Sequence, residues 1–465
     1  MRVILINPPQ LSRFPQPPMG LALIAAVLER EGHEVRICDA NALRLDPAGI
    51  IPHVADADII GLTAMTPTID SAKDIARTIR CSGAKVPIVL GGAHASLLPE
   101  DTLSDCPEID VIVRGEGERI IVSLLESLGQ TGQIKSLRAV PGITYRENGE
   151  AVSNDEEPAR VDMDSLPFLA YHLLPMKKYR PYPPHGRALP FAAAITSRGC
   201  PYRCAYCSKP VFGTRFRAQS ADRVVEEISH YREAFGVKEV SFYDDVFTLD
   251  KKRAHAIADG MLKHRMKVHW TCESRVNLVD RELLRHMKKA GCYAIAYGIE
   301  SASQEILDTL CKDIKLNQVE EAVSNARDIG MQTVGYFMIG SPGETQTTIR
   351  QTIEYAKKLQ IDFAQFAVTT PYPGTKLYEL YRDSAGRHHS WKDFVYEGVG
   401  ARTTPVLETD HLSSTDLQHW AAKAYRSFYL RPAYVWERVK RIRSLRDLRL
   451  AISGAIMLKR TILSR

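Results

Sequence analysis

The sequence lacks the marks of export. Its start, MRVILINPPQ, carries one Arg, a short apolar run and then Pro-Pro, so a buried first strand is expected, not a secretory signal or a membrane span. A disulfide framework is missing as well. Nine cysteines, an odd number, in a chain that reads as cytoplasmic point to metal rather than to bridges. There is no general excess of charge. The net charge is +6, yet residues 431–465 alone hold ten Lys/Arg against Glu437 and Asp447, which leaves the rest slightly negative. The basicity is local and gives no reason to expect a nucleic-acid partner.

What remains is the composition of an ordinary globular protein, 45% hydrophobic and 25% charged, with 465 residues to fill two domains and a tail. The first 150 residues alternate short apolar runs (RVILINPP, EVRICDAN, DIIGLTAMT, PIVLGGA, VIVRGEG) with helical stretches such as GLALIAAVLEREG. That pattern predicts a parallel sheet covered on both faces, a Rossmann-like α/β domain over 1–150. Ligands of such sheets bind at the carboxyl ends of the strands. The expected rim is therefore Asn7, Pro8, Pro9, Thr63, Gly91, Gly92, Arg114, Gly115, Glu116 and Gly117. Prolines then crowd residues 151–190, a connector with little regular structure. A second alternation runs over 191–380: FAAAITS, EVSFYDD, KVHWTCES, YAIAYGIE, QTVGYFMIG and FAQFAVTTP. Six βα units suit an open, partial TIM-type barrel, with chemistry at the C-terminal strand ends.

The chemistry-bearing stretch is SRGCPYRCAYCSKP, directly after the first of those six strands. It puts Cys200, Cys204 and Cys207 in Cys-x3-Cys-x2-Cys spacing. A structural zinc wants four ligands with a second pair nearby, and the next cysteine, Cys272, is far off within a strand. An iron–sulfur cluster tolerates three thiolates if a non-protein ligand takes the last iron.

This motif in this setting resembles the radical S-adenosylmethionine (SAM) superfamily. The resemblance implies a 4Fe–4S cluster on the three cysteines and SAM chelating the open iron, cleaved on reduction to methionine and a 5′-deoxyadenosyl radical. It implies an electron donor such as flavodoxin or ferredoxin. It further implies that Tyr206 lies near the adenine, that Asp244 and Asp245 hold the SAM ammonium, and that Glu300 accepts from the ribose hydroxyls. Against these stand a solvated helix start for the two aspartates and a surface Glu for Glu300, the latter disfavoured because Gly298 admits a ligand to the backbone. Arg275, at the end of the third strand, is counted with these SAM-binding residues, since its guanidinium can pair bidentately with a carboxylate. The turns IGSPGET and PYPGT are ambiguous, because their Gly and Pro serve the turns themselves.

NPP, GLTAMT, GGAHAS and RGEGE, in order on successive strands, resemble the cobalamin-binding domain of one radical SAM subclass. No Asp-x-His-x-x-Gly segment occurs, so the group beneath the cobalt is not legible. His94, in the Gly-Gly loop, belongs to the expected cobalamin rim but suits packing of that turn better than ligation. A methylthiotransferase would carry a second cluster, yet Cys38, Cys81 and Cys106 lie outside the rim segments. The resemblance implies methyl transfer to an unactivated carbon of an apolar small molecule, a lipid or a tetrapyrrole among the classes, or else an oxidative cyclase of the anaerobic magnesium-protoporphyrin monomethyl ester type. A non-catalytic cobalamin carrier is the reading from another class. Residues 381–465 are expected to be helical and basic. Trp436, Val439, Ile442, Leu445 and Leu448 recur at helical spacing between Arg and Lys. Such a helix packs over the barrel mouth or lies on an anionic membrane.

Overall fold

In a computed structural model the described residues are 1–10, 14–131, 134–156, 161–181, 186–385, 391–394, 408–440, 442, 451–452, 454–456 and 458–459. Two compact units emerge. The first comprises Met1–Arg180, Pro190–Cys200 and Ser208–Gln219; the second comprises Pro181–Leu189, Pro201–Cys207 and Ser220–Arg465.

The apolar runs of the N-terminal region form β1 (Arg2–Asn7), β2 (Glu34–Asp39), β3 (Ile59–Thr63), β4 (Ile88–Gly91) and β5 (Val111–Val113), all parallel. Their order is β2-β1-β3-β4-β5, so the strand order reverses between β1 and β3, where doubly wound sheets open a ligand crevice. Val3, Leu5, Ile59, Val89 and Val111 meet Leu21, Ala25 and Leu28 of the helix Met19–Arg30 in one core. Each large side chain buried there contributes about 1.5–3 kcal/mol.

Two further strands, β6 (Ile143–Glu147) and β7 (Glu150–Ser153), extend the sheet antiparallel. This hairpin lies beyond the alternation of strands and helices and is not among the strands expected from it. Its signal was present: Asn148 and Gly149, both at positive φ, form the two-residue turn that strand twist favours. Among the described residues of the proline-rich stretch that follows, the regular elements are 3-10 turns at 163–165, 171–173 and 176–178, yet the stretch is packed. Tyr179 is fully buried and donates to Asp39 Oδ2 at 2.6 Å.

His94 is 1% exposed, on the short helix Ala93–Leu97 after β4, with Nδ1 3.2 Å from Thr66 Oγ1. It packs the turn. Burial lowers its pKa to about 4. The unfolded chain takes up this proton near pH 6.5, so between those values the unfolded state binds more protons and the first unit loses stability as pH falls, by about 3 kcal/mol in all. The expected result is that His94→Gln removes this acid slope, followed by amide exchange in β4; an unchanged slope would assign it to other groups.

The next strands are β8 (Phe191–Ala194), an antiparallel ribbon of β9 (Ser197–Arg198) with β10 (Arg217–Ala218), and β11 (Glu239–Phe242), β12 (His269–Ser274), β13 (Cys292–Glu300), β14 (Gln332–Ile339) and β15 (Phe363–Val368). The second sheet has the order β15-β14-β13-β12-β11-β8, an open six-stranded arrangement as expected from six βα units. Helices alternate with its strands and start where side chains cap them. Asp250 Oδ1 accepts from Arg253 N at 3.0 Å, and Asp280 Oδ1 accepts from Leu283 N at 2.9 Å. Phe242, Phe247 and Trp270 pack with ring centroids 4.9–5.5 Å apart beneath this sheet.

The free side of β15 is closed by the helix Ser414–Tyr429. Tyr425 Oη accepts from Phe366 N at 3.2 Å and Tyr429 Oη accepts from Ala364 N at 3.0 Å, which satisfies an edge that would otherwise invite another strand. The next helix, Pro432–Lys440, does not cover the barrel mouth. Tyr434 Oη donates to the carbonyl of Asp362 at 2.9 Å and Arg438 pairs with its carboxylate at 3.1 Å, at the N-terminal end of β15. Val435, Trp436 and Val439 are exposed. Leu445 and Leu448 lie outside the described residues. Among the described residues no helix is long and apolar enough to cross a membrane.

Candidate active site

The cysteine loop is shaped before any metal enters. In the first unit Gly199 has φ +79, and a Cβ there would lie 2.3 Å from the carbonyl oxygen of Arg215, so only glycine fits. Cys200 N donates to Gly213 O at 3.4 Å, and Lys209 Nζ donates to Cys200 O at 2.9 Å. Gly199→Ala is therefore expected to cut iron uptake on reconstitution by at least about tenfold, the backbone strain alone being worth 1–3 kcal/mol. Full uptake in that variant would show that the loop closes without this turn.

In the second unit Ala205 is pinned from both sides: its N–H donates to Leu310 O at 2.9 Å and its carbonyl accepts from Leu377 N at 3.1 Å. Arg275 Nη1 lies 3.5 Å from Cys204 Sγ, and its guanidinium stacks on Tyr202 at 3.7 Å. Arg275 also binds the carbonyls of Lys312 and Asp313, and its Nε is buried without a partner among the described residues. A cation fixed beside the Cys204 sulfur would offset negative charge there in a place water reaches poorly.

Behind Cys207 the preceding Tyr206 enters a closed set. Its hydroxyl donates to Glu300 Oε1 at 2.8 Å, and Lys312 Nζ donates to the same carboxylate at 2.7 Å and to Tyr206 Oη at 2.8 Å. Burial, then Glu300, hold the Tyr206 phenol well above its ordinary pKa, so it stays a donor. Glu300 sits at φ +67 on a bulge of β13. A Cβ at Gly298 would lie 2.6 Å from both Glu300 Oε1 and Lys312 Nζ, so a larger residue there would have to displace the ends of these two side chains. The chain's own ion pair fills that space. Lys312 was not legible in the sequence, since nothing in its neighbourhood marks it.

Asp244 is buried and Asp245 exposed in the turn after β11. Neither starts a helix; that role falls to Asp250. Glu273 on β12, also unforeseen, accepts from Tyr336 Oη at 3.0 Å, and burial followed by Asp245 raises its pKa. In IGSPGET the turn is capped from within: Glu344 accepts from Gly340 N at 2.6 Å and Ser341 N at 3.1 Å, and burial pushes its carboxyl up to about 7.

The rim of the first unit separates into two kinds of residue. Asn7 is buried and donates to Asp39 Oδ1 at 2.8 Å, Pro8 is buried beside it, and Pro9 and Thr63 are half-buried beside the switch point. Gly92, at φ +103, would put a Cβ 2.5 Å from Ala64 O, so it holds the turn. Gly91 has only Val113 O at 3.8 Å and Gly115 nothing within 4 Å, which leaves room at the strand ends. Arg114 and Glu116 are engaged elsewhere. Arg114 binds the carbonyls of Ile143 and Asn154, and Glu116 pairs with Arg198 and Arg217.

The donor set suits a cluster. No disulfide joins any of the nine cysteines. Three thiols in one short loop, none of them in a disulfide, are the donors that a 4Fe–4S cluster would take on three of its irons.

Residues 12–125 match the family model of the B12 binding domain, and 194–356 that of the radical SAM superfamily. An uncharacterized methyltransferase of Pyrococcus horikoshii is 38% identical over 93% of this chain and 93% of its own length. The chain belongs to the cobalamin-binding radical SAM family. The anaerobic magnesium-protoporphyrin IX monomethyl ester cyclase of Cereibacter sphaeroides is 29% identical over 94% of this chain and 72% of its own. In fold, the radical SAM methyltransferase TsrM of Kitasatospora setae, solved with cobalamin and a 4Fe–4S cluster, superposes with a TM-score of 0.69 at 21% identity, covering 86% of this chain and 78% of that one. The Cys-x3-Cys-x2-Cys loop of this radical SAM enzyme lies within the second matched segment, and the β1/β3 switch point within or beside the first.

Proposed function

We propose that this radical SAM enzyme methylates an unactivated carbon of an apolar small molecule. When bound, the cluster with SAM supplies a hydrogen-abstracting 5′-deoxyadenosyl radical, and cobalamin supplies the methyl group. The observation that carries the reading is the Cys200–Cys204–Cys207 loop, backed by the Tyr206–Glu300–Lys312 set, on a chain that also has a B12 binding domain. The uncharacterized methyltransferase of Pyrococcus horikoshii, 38% identical and matched nearly end to end, supports methyl transfer by its name alone. A second reading, oxidative cyclisation, draws on the cyclases at 29%.

In this reading residues 1–150 bind cobalamin through Pro8, Pro9, Thr63, Gly91, Gly92 and the Gly115–Gly117 backbone, residues 151–190 connect, and 191–380 form the core. Tyr206, Asp244, Asp245 and Glu300 hold SAM, with Arg275 behind Cys204 and Lys312 orienting Glu300. Reducing equivalents come from a flavodoxin or ferredoxin. The exposed Val435, Trp436 and Val439, beside the basic residues of 431–465, support contact with an anionic membrane by residues 381–465 and hence a lipid or tetrapyrrole substrate.

Reconstituted enzyme given SAM with a deuterated methyl group and a lipid and tetrapyrrole panel tests this. A substrate gaining the labelled methyl supports methyl transfer. A product lighter by two hydrogens, or carrying solvent oxygen, with no label, would establish the oxidative reading instead.

A further inference from the structure

The RGEGE segment was expected to touch cobalamin, but its carboxylates face the flanks of the cysteine loop. Arg198 Nη1 donates to Glu116 Oε2 at 2.7 Å and Arg198 Nη2 to Glu118 Oε1 at 2.5 Å. Arg217 Nη1 donates to Glu116 Oε2 at 3.1 Å, and its Nη2 pairs with Oε1. Two carboxylates and two guanidiniums thus form a neutral, largely buried chain of three ion pairs, Glu118–Arg198–Glu116–Arg217. Side-chain exposure is 5% for Arg198, 14% for Arg217, 12% for Glu116 and 8% for Glu118.

The two arginines are not scattered. They are directly paired residues of the β9–β10 ribbon, Arg198 opposite Arg217. This ribbon brings together the chain entering the cysteine loop and the chain leaving it, with Gly199 and Cys200 immediately beyond Arg198. Arg198 also lies over the Phe212 ring at 4.9 Å, on the far limb of the loop. On the other side, Gly115 N donates to Ser96 Oγ at 2.9 Å, which ties the β5 loop to the segment following β4. Fork-to-fork pairing of this kind fixes orientation as well as distance.

We propose that Glu116 and Glu118 are positioning residues for the cluster: they clamp the base of the cysteine loop to the end of β5, and their side chains do not bind cobalamin. The Gly115–Gly117 backbone remains available to that cofactor. The cluster loop is thereby held by the same sheet whose strand ends form the cobalamin rim. The proposal rests on the two-cofactor reading for its purpose, though the clamp itself is read without cofactors.

The test uses the full chain with Glu116→Gln, which keeps shape and removes two ion pairs. In the protein without cofactors, hydrogen exchange over residues 196–219 is expected to rise by about tenfold or more, as local opening becomes easier. Hydroxocobalamin affinity should change by less than about twofold, far below the tenfold that 1.4 kcal/mol would give. After reconstitution, the electron paramagnetic resonance signal of the reduced cluster should change shape and lose its response to SAM. Unchanged exchange would overturn the clamp. A tenfold loss of cobalamin affinity with the cluster signal intact would overturn it too, and return Glu116 to the cobalamin site. Arg217→Gln, which spares both Arg198 pairs, gives the same readouts if Glu116→Gln does not fold. Wild-type protein that takes up no cobalt would fail the two-cofactor reading, while the exchange measurement would still judge the clamp.

Discussion

Cys204→Ala is expected to abolish 5′-deoxyadenosine formation, with a drop of more than about 10³-fold, because the bond chemistry belongs to the cofactor and not to any side chain that could take over. Removing one of three thiolates leaves an iron without its protein ligand, and no further cysteine stands in the loop to replace it. Cys272, the next in sequence, is buried in β12 with its thiol pushed up by burial and by Cys292. Hydroxocobalamin binding should persist in the variant, since Cys204 belongs to the second unit and the cobalamin rim to the first. Iron content and deoxyadenosine, measured together, check the point. If biological activity survived the substitution, the non-catalytic carrier reading would return.

Lys312→Met is expected to destabilise the second unit by about 3–5 kcal/mol, the usual effect of leaving one member of a buried pair uncompensated. Lys312 and Glu300 side chains are 6% and 8% exposed, so water cannot take over the lost partner. Tyr206 would remain as a donor to Glu300, but a neutral hydroxyl does not balance a carboxylate. Adding Glu300→Gln should recover more than half of the loss, because the orphaned charge is then gone. All four tryptophans, Trp270, Trp391, Trp420 and Trp436, lie in the second unit, so urea unfolding followed by tryptophan fluorescence reads it selectively. A single variant as stable as wild type would mean that the pair is solvated in the working protein. The double variant should still lose SAM affinity, which separates the role of Glu300 in the site from its share in stability.

Strands and the cluster motif were legible for a physical reason: both are local. A parallel strand buried on two faces must be an apolar run, and RVILIN or YAIAYGIE cannot hide it. A cysteine loop has its ligands within eight residues. What escaped is what folding brings together from afar. Glu116 meets Arg198 across 82 positions and Arg217 across 101, and no periodicity encodes such a meeting. Lys312 lies only 12 residues from Glu300, yet the bulge at Glu300 and the tight backbone at Gly298 decide that they touch. The helix start weighed for the aspartates after β11 falls to Asp250, six residues beyond Asp244, whose side chain makes the cap. The Asn148-Gly149 hairpin, by contrast, was readable and passed over.

The central claim is that one chain holds a cluster and cobalamin together. Protein purified without oxygen and reconstituted with iron, sulfide and hydroxocobalamin should contain about four irons and one cobalt per chain, and form 5′-deoxyadenosine from SAM on reduction. Iron and deoxyadenosine without cobalt would contradict the account: the chemistry would be that of a radical SAM enzyme alone, and the first unit would need another ligand.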